Sequence, residues 1–312
     1  MPIDISILFL TLFTSIILYQ TFNKIFVAYN IIDKVNDRSS HSVIATRSGG
    51  LAIVLNIFFI SLYFYFNNYT IYDYSILIPL LLLTFIGLYD DIYRLDFKLK
   101  FIFQIIAAKI LIDNGLLIDN LHGFFGIFEL NRILAQFITI FIIVAIINAI
   151  NFIDGIDILA ISIVSIFIFL FELSSSVSTP FYNLNLLLIL SIIPLFYFNL
   201  KKNKKVFLGD SGSHFLGGIT SIYVIYILTN EYTIKPNFDL HKLLFVVSIL
   251  IYPIIDLLRI VQIRLLEKKS PFSPDNKHIH HVIYRKTDNH LITTIIISLF
   301  SISFFIIIQI IF

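Results

Sequence analysis

The stretch ITIFIIVAIINAINFIDGIDIL, residues 138–159, decides what kind of protein this is. Its first half carries no charge, and its apolar residues do not alternate with polar ones as they would in a strand of a membrane barrel. Such a run belongs in lipid as a helix, whose backbone groups are all satisfied internally. The second half then sets Asn148, Asn151, Asp154 and Asp157 at every third residue, with Gly155 among them. Hydrocarbon tolerates polar clusters of that kind only where partner helices satisfy them or something binds there.

The same succession of oil and acid runs along the whole chain. Its 312 residues are 58% hydrophobic, 16% aromatic and 13% charged, whereas a soluble domain carries roughly 25% charged residues. The mean hydropathy is +0.92. These values predict an all-α integral membrane protein, a single multi-pass domain over residues 1–312, built as a bundle of about ten transmembrane helices. The spans fall at 4–28, 51–66, 74–90, 99–112, 132–149, 157–172, 183–200, 213–229, 243–264 and 291–311. The N-terminal stretch ISILFLTLFTSIILYQTF has no basic segment before it and no small-residue cleavage site, so it reads as the first span. Cysteine is absent, which excludes disulfides and thiolate metal sites. A net charge of +2 gives no reason to expect a nucleic-acid partner.

The spans divide the loops into two sets. Lys34, Arg38, Arg47, Arg94, Lys98, Lys201, Lys202, Lys204, Lys205, Lys268, Lys269, Lys277, Arg285 and Lys286 fall in one, comprising 29–50, 91–98, 150–156, 201–212 and 265–290. Only Lys235 and Lys242, with Arg132 at the edge, fall in the other, comprising 67–73, 113–131, 173–182 and 230–242. By the positive-inside rule the first set is cytoplasmic, both termini are extracytoplasmic, and the active site belongs to those five cytoplasmic loops. The outer segment GLLIDNLHGFFGIFELN, residues 115–131, reads either as a short hairpin or as a surface-lying helix.

Every cytoplasmic loop carries acids, histidines or glycines in dense groups. In GLYDDIYRLDFKLK, residues 87–100, Asp90 and Asp91 end a span. Negative charge is unfavourable at a helix C-terminus, and paired carboxylates repel unless a cation lies between them. The pair therefore reads as Mg²⁺ ligands or as an acid/base group rather than as a mere water boundary. Lys98 and Lys100 stand close enough to meet a phosphate, and snorkelling explains either one alone equally well. In NAINFIDGIDIL, residues 148–159, the spacing stacks the amides and acids on one helix side unless Gly155 breaks the helix into a loop. Their oxygens suit Mg²⁺, and the amides suit a sugar or base edge; for Asn148 an interhelical hydrogen bond is enough.

In KKNKKVFLGDSGSHFLGG, residues 201–218, Asp210 sits at a glycine-rich helix start, a ready phosphate site or an ordinary N-cap. In SPFSPDNKHIHH, residues 270–281, Asp275, Lys277, His278, His280 and His281 lie among lysines that would attract an anion, so a pyrophosphate cradle fits better than zinc. In DKVNDRSSHSVIATRSGG, residues 33–50, Arg38 or Arg47 offers a phosphate clamp beside His41, with topology markers as the alternative. Asp256 and Arg259 in IIDLLRIV, residues 254–261, have the spacing of an intramembrane ion pair, with support of the site as the alternative.

The order GLYDD, NxxNFIDGID, FLGDSG and SPFxxDxxHIHH resembles the polyprenyl-phosphate N-acetylhexosamine-1-phosphate transferase family, over residues from about 33 to 281. The resemblance implies transfer of a sugar-1-phosphate, an N-acetylhexosamine or a deoxy derivative, from a UDP-sugar to undecaprenyl phosphate. UMP is released, and the step starts a cell-surface polysaccharide at the bacterial cytoplasmic membrane. It implies Mg²⁺, with Mn²⁺ a chemically acceptable substitute. Asp210 would be the principal metal ligand, with Asp91 and Asp154 assisting. Asp90 would be a base toward the lipid phosphate. Asn151, Asp154 and Asp157 would shape the nucleotide loop, and His280 and His281 would lie near the diphosphate. Lys98, Arg38, His41 and His278 would complete the substrate contacts, and a homodimer is compatible with this reading.

The sequence departs from the family at Ile158, where a second glycine is usual, and at Val35, Ile44 and Ala45, where prolines often stand. HIHH in place of three adjacent histidines places the chain nearer the O-antigen and surface-polysaccharide members than the muropeptide ones. A cation-coupled transporter is the competing class, but its acids belong near the bilayer midplane, not at the ends of helices.

Overall fold

The computed structural model describes residues 3–33, 45–175, 178–229, 239–270 and 276–312. The described chain is dominated by helix: α1 (Ile5–Ala28), α2 (Gly49–Phe66), α3 (Leu77–Tyr93), α4 (Phe97–Asp113), α5 (Arg132–Ile153), α6 (Leu159–Ser174), α7 (Tyr182–Leu200), α8 (Gly209–Thr229), α9 (His241–Ile249), α10 (Ile251–Leu266), α11 (Ile279–Thr287) and α12 (His290–Ile311). Each stretch expected to span coincides with a helix, except that the ninth is broken. There α9 and α10 meet at 75°. Pro253 explains the break, because it has no N–H for the carbonyl one turn back and its ring crowds that carbonyl. Among the described residues seven helices are long and apolar enough to cross a membrane, or eight if the bent pair is one span; α6 is apolar but shorter. That makes a multi-pass membrane protein.

The chain forms two compact units. The first comprises residues 1–96 and 178–215, and the second comprises 97–177 and 216–312. In the first, α1 packs on α7 and α2, and α2 packs on α7 and α3. Because lipid gives helices no hydrophobic reason to associate, polar stitches matter here. Asn56 donates to the Thr11 carbonyl and to Ser191 Oγ, while the hydroxyls of Ser15 and Tyr19 both donate to the Ser191 carbonyl. A short parallel pairing of β1 (Ala45–Thr46) with β4 (Lys205–Val206) ties the entry of α2 to the approach of α8. Gly50 lets α2 touch the start of α8, since a Cβ there would lie 2.0 Å from the Gly212 nitrogen.

In the second unit α5 packs on α4, α6 and α10, and α12 packs on α9, α6 and α11. Asn148 donates to Gln104 on α4, so the interhelical reading of that residue holds. Residues 115–131 resolve as a hairpin, β2 (Asn120–Phe124) with β3 (Ile127–Glu129), not as a helix. His122 Nε2 on that hairpin meets the Leu228 carbonyl at 2.8 Å.

Gly50→Ala is expected to lower stability by about 3 kcal/mol, the upper part of the range for overpacking a close contact. Thermal unfolding in detergent checks this; a variant melting with the wild type would mean that α2 and α8 do not approach so closely.

Candidate active site

In the first unit the paired aspartates close two helix ends. Asp90, in the last turn of α3, accepts the Leu95 backbone N–H at 2.6 Å and so satisfies the chain as it leaves the helix. Asp91, one residue on, points elsewhere. Its two oxygens accept the backbone N–H groups of Asp210 and Ser211 at 3.0 and 3.1 Å, the first-turn donors of α8. Arg47 approaches the same carboxylate at 3.6 Å and Asp33 at 3.2 Å. Negative charge that is unfavourable at the end of α3 is thus stabilised by the start of α8 and by a guanidinium.

Glycines make this possible. Gly209 adopts φ +75°, and a Cβ on Gly87 would lie 2.4 Å from the Asp210 carbonyl oxygen. The result is an aspartate, Asp210, rigidly held in the first turn of α8 with its side chain partly exposed. A carboxylate of that kind suits a hard divalent cation. Asp91 does not, because its side chain is fully buried and its oxygens are committed to two backbone donors.

In the second unit, α5 runs to Ile153, so Asn148 and Asn151 lie on the helix, Asp154 caps it, and Asp157 lies beyond the Gly155 turn. Asn151 and Asp154 are partly exposed, whereas Asp157 is buried, with its N–H donating to His290 Nδ1 and its carbonyl accepting from Thr294. Ile158 completes this turn at φ +57°, the left-handed region that a glycine would enter freely. A β-branched side chain there costs roughly 1–2 kcal/mol. It is held because Ile158 is buried and α6 starts immediately after it.

The histidines meet this turn. A Cβ on Gly155 would lie 2.8 Å from His280 Nε2 and 3.3 Å from His281 Nε2, so glycine leaves the imidazoles room. From α10, two residues one turn apart hold the motif from behind. Asp256 accepts from His278 Nδ1 at 2.6 Å and from the Ile279 N–H at 2.7 Å, and the Tyr252 hydroxyl meets His280 Nδ1 at 2.9 Å. His280 is fully buried, and its Nε2 has no partner among the described residues. Burial, then the neighbouring His281 and His278, pushes its imidazole well below the ordinary histidine value, so it is neutral.

Asp256, His278 and His280 bring ligand atoms within 4.8 Å of one another, close enough for a metal ion. The hydrogen bonds argue against one. Both Asp256 oxygens are engaged by His278 and Ile279, and the Arg264 guanidinium lies 3.4 Å from His278 Nε2. A neighbouring cation and committed oxygens make this a relay that orients imidazoles.

Several expectations need correction. Asp256 and Arg259 do not pair; Arg259 donates to the Lys277 carbonyl instead. Lys277 and Lys269 both engage Glu267, whose carboxyl their hydrogen bonds hold at about 2. Lys98 is exposed in the first turn of α4. Arg38, His41 and Asp275 lie outside the described residues. Tyr252, Arg264 and His290 were not foreseen, since a lone tyrosine, arginine or histidine at a span end carries no motif.

A helical membrane bundle with an aspartate-capped glycine turn and a histidine relay defines a class, and comparison with known proteins agrees. Residues 74–228 match the glycosyl transferase family 4 model, and the chain belongs to this family of polyprenyl-phosphate sugar-1-phosphate transferases. It is 30% identical to an undecaprenyl-phosphate alpha-N-acetylglucosaminyl 1-phosphate transferase of Yersinia pestis, covering 90% of this chain and 76% of that one. A Salmonella typhi protein of the same name is 31% identical over 88% of this chain and 74% of its own. A probable undecaprenyl-phosphate N-acetylglucosaminyl 1-phosphate transferase of Bacillus subtilis (strain 168) is 30% identical, over 93% and 79%.

Below about pH 6.5 an unfolded histidine takes up a proton that the folded His280 refuses. The unfolded state then binds more protons, so this part of the stability is complete above that pH and is lost as pH falls. His280→Gln should flatten the decline measured by unfolding at pH 7.5 and 5.5; an unchanged slope would mean that His280 is not held neutral.

Proposed function

We propose that the protein transfers an N-acetylhexosamine-1-phosphate, or a deoxy derivative, from a UDP-sugar to undecaprenyl phosphate, releasing UMP, at the cytoplasmic face of a bacterial inner membrane. The observation that carries this reading is Asp210, a carboxylate fixed at a helix start by Asp91 within a chain whose relatives are named as such transferases. The names of those relatives lend nothing to the transporter alternative. The distribution of lysines and arginines supports the cytoplasmic assignment and the ten-span topology with both termini outside.

The reaction brings together two phosphorylated molecules, whose repulsion is about 4 kcal/mol per unit pair at 4 Å and an effective dielectric of 20. Mg²⁺ bound at Asp210 would cancel much of that charge and polarise the phosphate under attack. An oxygen of the lipid phosphate attacks the β-phosphorus of the UDP-sugar, and the bond from that phosphorus to the bridging oxygen breaks. The lipid phosphate's second pKa near 6 leaves it largely ionised at pH 7, so no strong base is required. Asp90, engaged with the Leu95 N–H, accordingly acts as a helix-end group more than as a base. Asp91 acts through Asp210.

Asn151 and Asp154, both partly exposed at the end of α5, offer an amide and a carboxylate to the nucleotide or to a hard cation. In the tautomer where Nδ1 accepts from the Tyr252 hydroxyl, His280 presents Nε2–H as a neutral donor for a phosphate oxygen. His281, partly exposed beside it, shares that role.

Asp210→Asn should abolish Mg²⁺-dependent UMP release from UDP-N-acetylglucosamine and undecaprenyl phosphate while leaving the melting temperature near wild type. Asp91→Asn should lower both, the stability by about 1 kcal/mol, the usual cost of a lost helix cap. Near-normal turnover in Asp210→Asn would refute the metal assignment. Tyr252→Phe should raise KM for the UDP-sugar severalfold with a smaller change in kcat; an unchanged KM would remove the tyrosine from donor binding.

A further inference from the structure

Where α1 and α7 end side by side in the first unit, a cavity of about 510 Å³ opens between them. Lys24, Lys201 and Lys204 line it together with Val27, Ala28 and Phe198. Lysines at span ends are ordinarily topology markers whose ammonium groups float in water. Here two of the three stand on a turn that is itself fixed. The 201–205 turn is fixed over α1 because Asn23 donates to the Lys204 carbonyl at 3.0 Å, Asn199 donates to the Val206 carbonyl at 2.9 Å, and β4 pairs with β1. Lys204 is the left-handed residue of that turn, at φ +53°. The Lys201 ammonium is held over the rings of Tyr197 and Phe198, at 4.5 and 5.0 Å from their centroids.

Among the described residues, no carboxylate lies within ion-pair distance of any of the three. Three cations with no ionic partner among the described residues therefore face one cavity with an apolar wall, at the ends of two apolar helices. Basic pockets between membrane helices on the cytoplasmic side take phosphate headgroups. The volume falls in the range of small-ligand sites.

We propose that this cavity binds the phosphate headgroup of an anionic membrane phospholipid, with the lysines on the phosphate and Val27, Ala28 and Phe198 against the glycerol and upper acyl chain. This site stands apart from the residues assigned to sugar-phosphate transfer, and none of its lysines belongs to that machinery.

The test is native mass spectrometry of the purified full-length protein in detergent, titrated with phosphatidylglycerol. The wild type should retain the lipid. Each lysine is worth about five-fold in affinity, so the triple variant Lys24→Gln/Lys201→Gln/Lys204→Gln should bind on the order of 100-fold more weakly. A control of equal charge change, Lys202→Gln/Lys242→Gln/Lys286→Gln, should bind as the wild type does. UMP release by the lining variant in detergent, expected at the wild-type rate, shows that it is folded. Equal loss in both triple variants would overturn the site in favour of general charge. Displacement of phosphatidylglycerol by equimolar inorganic phosphate would overturn the lipid assignment. Displacement by equimolar undecaprenyl phosphate would overturn it in favour of the prenyl acceptor.

Discussion

The contact on which the first unit's chemistry depends is a carboxylate placed where it does not belong by its own helix. Asp91 ends α3, yet its charge is stabilised by the first-turn N–H groups of α8 and by Arg47. In a bilayer, where helix association has little hydrophobic drive, such a charged hydrogen bond between helix ends fixes position more firmly than apolar packing does. It also dictates the glycines. Gly87 and Gly209 are required because α3 and the FLGDSG turn must approach within backbone contact for Asp91 to reach its donors. Asp210 owes its fixed position to a carboxylate that arrives from another helix.

The second unit solves the matching problem for neutral groups. His278 caps the short helix α11 and His280 stands in its first turn, and α10 orients them through Asp256 and Tyr252. A buried neutral imidazole with one nitrogen occupied has its tautomer chosen for it, which makes the other nitrogen a defined donor or acceptor. The break at Leu250, just before Pro253, separates α9 from α10 and lets the polar side of α10 turn toward the histidines. A straight ninth span would carry Asp256 and Arg264 at other angles.

Much of this was legible in the sequence, and what was not has physical causes. Hydropathy located the helices because lipid demands an uninterrupted apolar run, and the acid-bearing loops stood out against them. Among the described residues, though, only seven or eight of the ten stretches are helices long and apolar enough to cross a membrane. The two roles of Asp90 and Asp91 were not legible. Their identity suggested a pair acting together, whereas the helix turns adjacent residues by about 100° and sends them to different partners. Asp256 and Arg259 misled for a similar reason: correct spacing for an ion pair says nothing about a histidine arriving from elsewhere in the chain. The α9–α10 break was signalled by Pro253 but hidden by the apolar residues around it. Tyr252 had no signal, since its role exists only through its distance to His280.

Ile158 leaves this protein with a turn that does not favour its own shape. A β-branched residue in left-handed geometry is kept there by burial and by the start of α6, so the turn carrying Asp157 is only as firm as its surroundings. Extraction into a harsh detergent loosens helix packing before it melts helices. This segment would then relax first, and the preparation would lose the turn carrying Asp157 while circular dichroism still reported an intact bundle. For handling the protein, helix content is therefore the wrong gauge of a competent sample, and a probe placed near Gly155 is the right one.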